Sequence, residues 1–209
     1  FDDAISYFEK AILINPNYVD AHNNLGILSE ELKKFQKARK HFEKVITVDP
    51  KNIYVLNSLG VIAKELGEFQ KALNLFEKVI QIDPNFIHTN NNLGVIAMQL
   101  GEDQKAKKYF DKAIEVDANF FQAHNNLGLL FLGLGEFKKA QKHFEKVIEI
   151  NPNNEEAYNN LSYVLQKLGE FQKALNCVQK SITINSSNYN SIESLQSILS
   201  NPAINNFLE

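Results

Sequence analysis

The sequence has one cysteine, Cys177, so it cannot form an internal disulfide. A lone thiol is the habit of reducing compartments, and a cytosolic location is the weak expectation that follows. No apolar run approaches the roughly 20 residues needed to cross a bilayer. The longest, Leu127 to Leu134, is broken by Gly128 and Gly133. No basic surplus exists either: the net charge of −3 offers no positive field to nucleic acid or to an anionic membrane, so neither is an expected partner. No phosphate-cradling loop is present, and the glycines are spaced for helix turns. Hydrophobic content of 44% and charge of 22% are those of a folded chain rather than a disordered one, despite the many asparagines.

What is present is a repeat. The stretch from Ile53 to Phe86 recurs in shifted copies: Leu59-Gly60 returns as Leu25-Gly26, Leu93-Gly94 and Leu127-Gly128. Ala72 returns as Ala38, Ala106, Ala140 and Ala174, and Pro84 as Pro16, Pro50 and Pro152. Every step has the length of that one stretch, except that Pro84 to Pro152 spans two. A unit of that size cannot bury its own apolar face, so stacked neighbours must share one core.

Within the unit, Leu56, Leu59, Ile62, Ala63 and Leu66 fall three or four apart and predict an amphipathic helix A ending at Gly67. Helix B runs from about Phe69 through Ala72, Phe76, Val79 and Ile80 to Asp83-Pro84. Gly101, Gly135 and Gly169 repeat the helix A stop. Lys33 replaces it in the first complete copy, at a cost of about 1 kcal/mol if the backbone is kept. Gly60 inside helix A suggests close approach of helix B near Ala72, with Phe76 filling the adjoining gap. Asp103 and Ala118 replace Phe and Pro in the third copy, which is expected to fray or bend more easily. Ser162, Val178, Ser181 and Ser186 mark a divergent fifth copy.

The expected organisation is a partial repeat at 1–18 holding only a second helix, five repeats at 19–188, a capping helix at 189–200, and a tail at 201–209. The cap is read from an apolar stripe of Ile192, Leu195, Ile198 and Leu199, stopped by Asn201-Pro202. Opening at Phe1 in mid-repeat suggests a segment cut from a longer array.

Leu59-Gly60, Ala63, Ala72, Phe76 and Pro84, in that order within one unit, resemble the tetratricopeptide repeat family. The resemblance implies an all-α chain, an α-solenoid of antiparallel helix pairs forming a right-handed superhelix. Its A helices would line a concave groove that binds peptides or protein segments. The NNLG wording of several copies is also similar to the repeat arms of O-GlcNAc transferases and of bacterial repeat proteins joined to glycosyltransferase or sulfotransferase domains.

If helix A lines a groove, two of its exposed columns are amides. The first holds Asn23, Asn57, Asn91, Asn125 and Asn159; the second holds Asn24, Asn92, Asn126 and Asn160, with Ser58 as its exception. An amide both donates and accepts, so a ladder of them could pair with the backbone of an extended peptide. The alternative is that these residues cap, bridge adjacent helices or meet solvent. Val95, Met98, Leu129 and Leu132 would form an apolar floor, or turn into the next repeat's core. Asp20, Glu30, Glu31 and Glu65 give an acidic rim with Lys64. The slots where one variety of the family clamps a terminal carboxylate with cations hold Asn23, Ile27, Ser58, His88 and Asn92, so that clamp is not expected.

His22 and His124 share one helix A slot, and His41 and His143 a helix B slot. The matched residues lie three repeats apart, too far to share a metal, and no Cys or carboxylate cluster completes a ligand set. Cys177 is expected to be a buried structural thiol. No catalytic residue, metal or cofactor is expected. The sequence supports a non-enzymatic interaction module for a protein or peptide segment. The alternatives are the substrate-docking arm of a glycosyltransferase or sulfotransferase, and a scaffold that self-associates through its ends.

Overall fold

The computed structural model describes residues 2–186 and 189–200. Among them are twelve helices and no strand. They fall into two compact units, divided between Ile96 and Ala97.

The first unit contains α1 (Asp2–Ile14), α2 (Val19–Glu31), α3 (Phe35–Val48), α4 (Ile53–Glu65), α5 (Phe69–Ile82) and the start of α6 (Ile87–Gln99). From α1 to α5, each helix packs on the next. The connections are only three or four residues long, which forces neighbours to run antiparallel. Ala38, Phe42 and Val45 of α3 share one buried cluster with Val55, Leu59 and Ile62 of α4, so the core is continuous across the repeat boundary. The second unit contains the end of α6, α7 (Asp103–Val116), α8 (Phe121–Gly133), α9 (Phe137–Ile150), α10 (Glu155–Lys167), α11 (Phe171–Ile184) and α12 (Tyr189–Leu199). From α7 onwards, consecutive helices pack in the same way, and α12 also touches α10.

Each A helix is closed by the same backbone motif. After α4, Gly67 N–H donates to Lys64 O at 2.9 Å and Glu68 N–H to Ala63 O at 2.8 Å, while Gly67 takes φ +75°. These are the two hydrogen bonds of a Schellman turn. Lys33 makes the same pair, to Glu30 O and with Lys34 N–H to Ser29 O, at φ +55°. The first complete copy therefore keeps the turn and carries its strain. The ends of α7 are also undisturbed: Glu102 and Asp117 have the backbone angles of Glu68 and Asp83, despite Asp103 and Ala118.

The glycine inside helix A serves the phenylalanine of helix B. A Cβ built on Gly26 would lie 2.5 Å from Phe42 Cε1, and one on Gly128 2.5 Å from Phe144 Cε1. Gly60 bears on Phe76 in the same way. Phe76 was expected in the adjoining gap, and its ring fills the space the missing side chain leaves. Phe42, Phe76, Phe110 and Phe144 are fully buried, and each such ring contributes about 2 to 3 kcal/mol. In the fifth copy Ser162 and Val178 occupy these two positions, both at 0% exposure.

The last helix presents a different face from the expected one. Ser191 and Ile198 are buried and Leu195 is half-buried, whereas Ile192 and Leu199 are exposed. The inward stripe is therefore Ser191, Leu195 and Ile198, at spacings of four and three. A hydroxyl sits inward because it has partners: Ser191 Oγ lies 2.9 Å from both Ser181 Oγ and Asn159 Oδ1. The expected boundary at Asn188, the stop at Asn201-Pro202 and the tail to Glu209 lie outside the described residues.

Candidate functional site

The two asparagine columns run along the A helices, and all nine residues are half-buried. In the first unit, Asn57 Oδ1 on α4 accepts from Thr89 Oγ1 at 2.8 Å and from Asn92 Nδ2 at 3.3 Å, both on α6. Asn24 Nδ2 donates to Asp20 O one turn back in α2, at 2.8 Å. Three of the expected groove amides are thus engaged in bridging or in their own helix. Asn23 lines a cleft of 330 Å³ with Ile27, Phe42, Asn52, Tyr54, Val55 and Ser58. Asn91 is half-buried on α6.

The second unit uses the same columns differently. Asn159 Oδ1 on α10 accepts from Ser191 of α12. Asn125 Oδ1 on α8 and Asn160 Nδ2 on α10, an acceptor and a donor, are buried without a hydrogen-bond partner. One difference between the units lies in the sequence. Asn57 and Asn159 each meet a hydroxyl one repeat further on, at Thr89 and Ser191. The residue that stands at the corresponding place for Asn125 is Ala157, which has none, and Asn160, which stands to Asn125 as Asn92 does to Asn57, makes no such bond. A buried unpaired polar atom costs about 1 to 3 kcal/mol. Asn126, Met98, Leu129 and Leu132 are half-buried in this unit, and Val95 is half-buried in the first.

On the acidic rim, burial pushes the Glu30 carboxyl up, opposed by a hydrogen bond with Ser58 and reinforced by Glu31. Lys64 pairs with Glu65 at 3.1 Å. Burial also raises the Cys177 thiol to about 11, so it stays protonated and un-nucleophilic near neutral pH.

The histidines are brought together within each repeat. His22 Nδ1 lies 3.0 Å from His41 Nδ1, and His124 Nδ1 lies 3.2 Å from His143 Nδ1. The signal available in the sequence was the equal spacing of the two pairs, together with the Leu56 and Leu75 that fill the same two slots in the repeat at 53–86. Among the described residues, no three His, Cys, Asp or Glu side chains form a group that could hold a metal ion, and no helix is long and apolar enough to cross a membrane.

Comparison with known proteins identifies the architecture. Tetratricopeptide repeat profiles match residues 19–52, 53–86 and 121–154, and two further profiles of the same description match 1–18 and 87–120, and 143–176. The chain belongs to the tetratricopeptide repeat family. Its fold class is accordingly the all-α solenoid of antiparallel helix pairs. Among solved structures, this tetratricopeptide chain is 25% identical to MamA over 78% of its own length and 95% of MamA, with a TM-score of 0.66. It is 21% identical to YrrB, described as a tetratricopeptide protein with an unusual peptide-binding site, over 90% of this chain and 97% of that one, with a TM-score of 0.63. A chain of the APC/C Cut9-Hcn1 hetero-tetramer gives a TM-score of 0.85 at 16% identity, covering 95% of this chain and 40% of its own. No curated relative matches the sequence significantly.

Proposed function

We propose that this tetratricopeptide chain is a non-catalytic interaction module that holds an extended protein segment along the exposed face of its A helices. The observation that carries the reading is the unspent hydrogen-bonding capacity of Asn125 Oδ1 and Asn160 Nδ2 on half-buried side chains. A peptide backbone offers the complementary pair, an N–H and a C=O, whatever its side chains are. Turning these amides outward to meet it removes a penalty that the free protein carries. Asn126 and Asn160 then contribute from the second column, with Met98, Leu129 and Leu132 as the apolar floor, and α12 serves as the cap. YrrB, similar in fold, is described as having a peptide-binding site, which supports the same reading.

Engaged amides are poorer ligands, so the second unit dominates binding and Asn24, Asn57 and Asn92 contribute less. The test is to select binders from a displayed library of random peptides and to measure their affinity by calorimetry. Asn125→Ala with Asn160→Ala weakens binding about tenfold or more, while Asn24→Ala changes it little. Equal affinity for all three proteins, with unchanged helical circular dichroism, would sink the reading.

A further inference from the structure

Each histidine pair joins helix A to helix B of one repeat, α2 to α3 in the first unit and α8 to α9 in the second. Within a pair the proton positions are determined. His22 Nε2 lies 3.0 Å from Pro16 O, and His124 Nε2 lies 3.1 Å from Ala118 O. A carbonyl only accepts, so Nε2 carries the hydrogen and the neutral ring's Nδ1 is a bare acceptor. The facing Nδ1 of His41 or His143 must then be the donor. His22 and His124 are buried at 6% and 8% exposure. The ring centroids stand 5.3 and 5.4 Å apart, and Phe131 stacks on His143 at 5.5 Å.

This geometry accepts one extra proton and rejects the second. The first can enter the outer nitrogen of His41 or His143 and leave the Nδ1–H···Nδ1 bond intact. The second must go onto Nδ1 of His22 or His124, where it sets N–H against N–H and two cations in contact. The fold does not require such a pair, because Leu56 and Leu75 fill the same two slots in the repeat at 53–86. We propose that His22–His41 and His124–His143 are acid-operated latches that hold helix A to helix B in the repeats at 19–52 and 121–154 and loosen when both rings are protonated. Each latch is adjacent in sequence to a groove residue, Asn23 or Asn125, so its release alters the face proposed to bind peptide.

The surrounding charges do not rescue the doubly protonated state. His41 faces Glu9 of α1, with Lys37 and Lys40 on its own helix. Glu9 is already paired with Lys37 at 3.0 Å. His143 faces Asp111 and Lys107 of α7, with Lys142 on its own helix, and Asp111 is paired with Lys107. His124 faces Lys146 and Glu149 of α9, which pair with each other at 2.7 Å. Burial is the first cause that lowers His41, His124 and His143, the last to about 4; for His41 and His143 the partner ring is the second.

The sign follows directly. In the folded chain His41, His124 and His143 each take up a proton at lower pH than in the unfolded chain, so stability is intact above about 6.5 and falls as pH drops below it, for His143 down to about 4. For His143 the withheld proton raises the unfolding constant about tenfold per pH unit between about 6.5 and about 4. The test is urea unfolding of the whole chain across the range from neutral to mildly acidic pH, beside a variant with His22→Leu, His41→Leu, His124→Leu and His143→Leu, which keeps every carboxylate. The expected result is an unfolding midpoint that falls steeply with acid in the parent and much less in the variant. Equal pH slopes would overturn the proposal. Should the variant not fold, long-range proton–nitrogen NMR of the parent decides: hydrogens on Nε2 of His22 and His124 and on Nδ1 of His41 and His143 support it, and four rings titrating independently as free imidazoles overturn it.

Discussion

The repeat at 53–86 and the one beginning at α10 solve the same packing problem with opposite residues. In the first, Gly60 gives up its side chain so that the Phe76 ring can lie against the helix backbone. In the second, Ser162 supplies a side chain and Val178 a smaller one in place of the ring, and both remain at 0% exposure. The volume shifts from one helix to the other while the seam stays closed. The exchange has a cost, because Ser162 Oγ is buried without a hydrogen-bond partner. A glycine–phenylalanine seam is wholly apolar and buries more surface, so the earlier repeat has the stronger joint.

The sharpest way to break this comparison is to mix the two solutions. Gly60→Ser drives a side chain into the fully buried Phe76 ring and is expected to cost about 2 to 3 kcal/mol by overpacking. Adding Phe76→Val makes room, so in a double-mutant cycle measured by urea unfolding the pair costs about 1 kcal/mol less, or better, than the sum of the single changes. Strict additivity would mean that the glycine and the ring do not share one space.

A second contrast, between the bridged amide of the first unit and the orphaned one of the second, carries a smaller effect. Thr89→Val removes a hydroxyl from Asn57 Oδ1 and is expected to lose about 1 kcal/mol. Ala157→Ser places a hydroxyl where Asn125 Oδ1 has none, gains up to about 1 kcal/mol, and lowers affinity for a selected peptide by occupying the free acceptor. Opposite signs in thermal or urea unfolding are the expected outcome; two losses would mean that the columns are not equivalent.

The smallest effect compares the turn at Lys33 with the glycine turns. Both have the same hydrogen bonds and Lys33 is exposed, so Lys33→Gly relieves a positive φ without disturbing the core. The expected gain is about 0.5 to 1 kcal/mol, read as a rise in melting temperature.

Most of the architecture was legible in the sequence because the repeat states the same boundaries several times. Gly67, Gly101, Gly135 and Gly169 mark the end of helix A in strict register, and the structure repeats the turn at each with φ between +72° and +75°. Side-chain pairings were harder to read, since periodicity says which residues share a face and not which ones touch. Gly60 pointed to a close approach, but how tightly the Phe76 ring fills it depends on where the ring swings. The histidines match counterparts three repeats away in the sequence, while each one's true neighbour lies in the facing helix of its own repeat. In α12, hydropathy favoured Ile192 and Leu199 as inward residues. Two hydrogen bonds to one serine decided otherwise. The asparagine columns were visible as columns, but whether each amide is occupied depends on its neighbours in its own helix and in the next repeat.

The cluster in which Ala38, Phe42 and Val45 share their contacts with Val55, Leu59 and Ile62 also bears on mechanical force. Pulling on the chain ends would load these joints in series. Once the repeat holding one side of such a cluster peels away, the ring on the other side is uncovered and its own repeat becomes the next weakest. Rupture would then proceed stepwise, and each released repeat would add roughly 110 Å of extended chain.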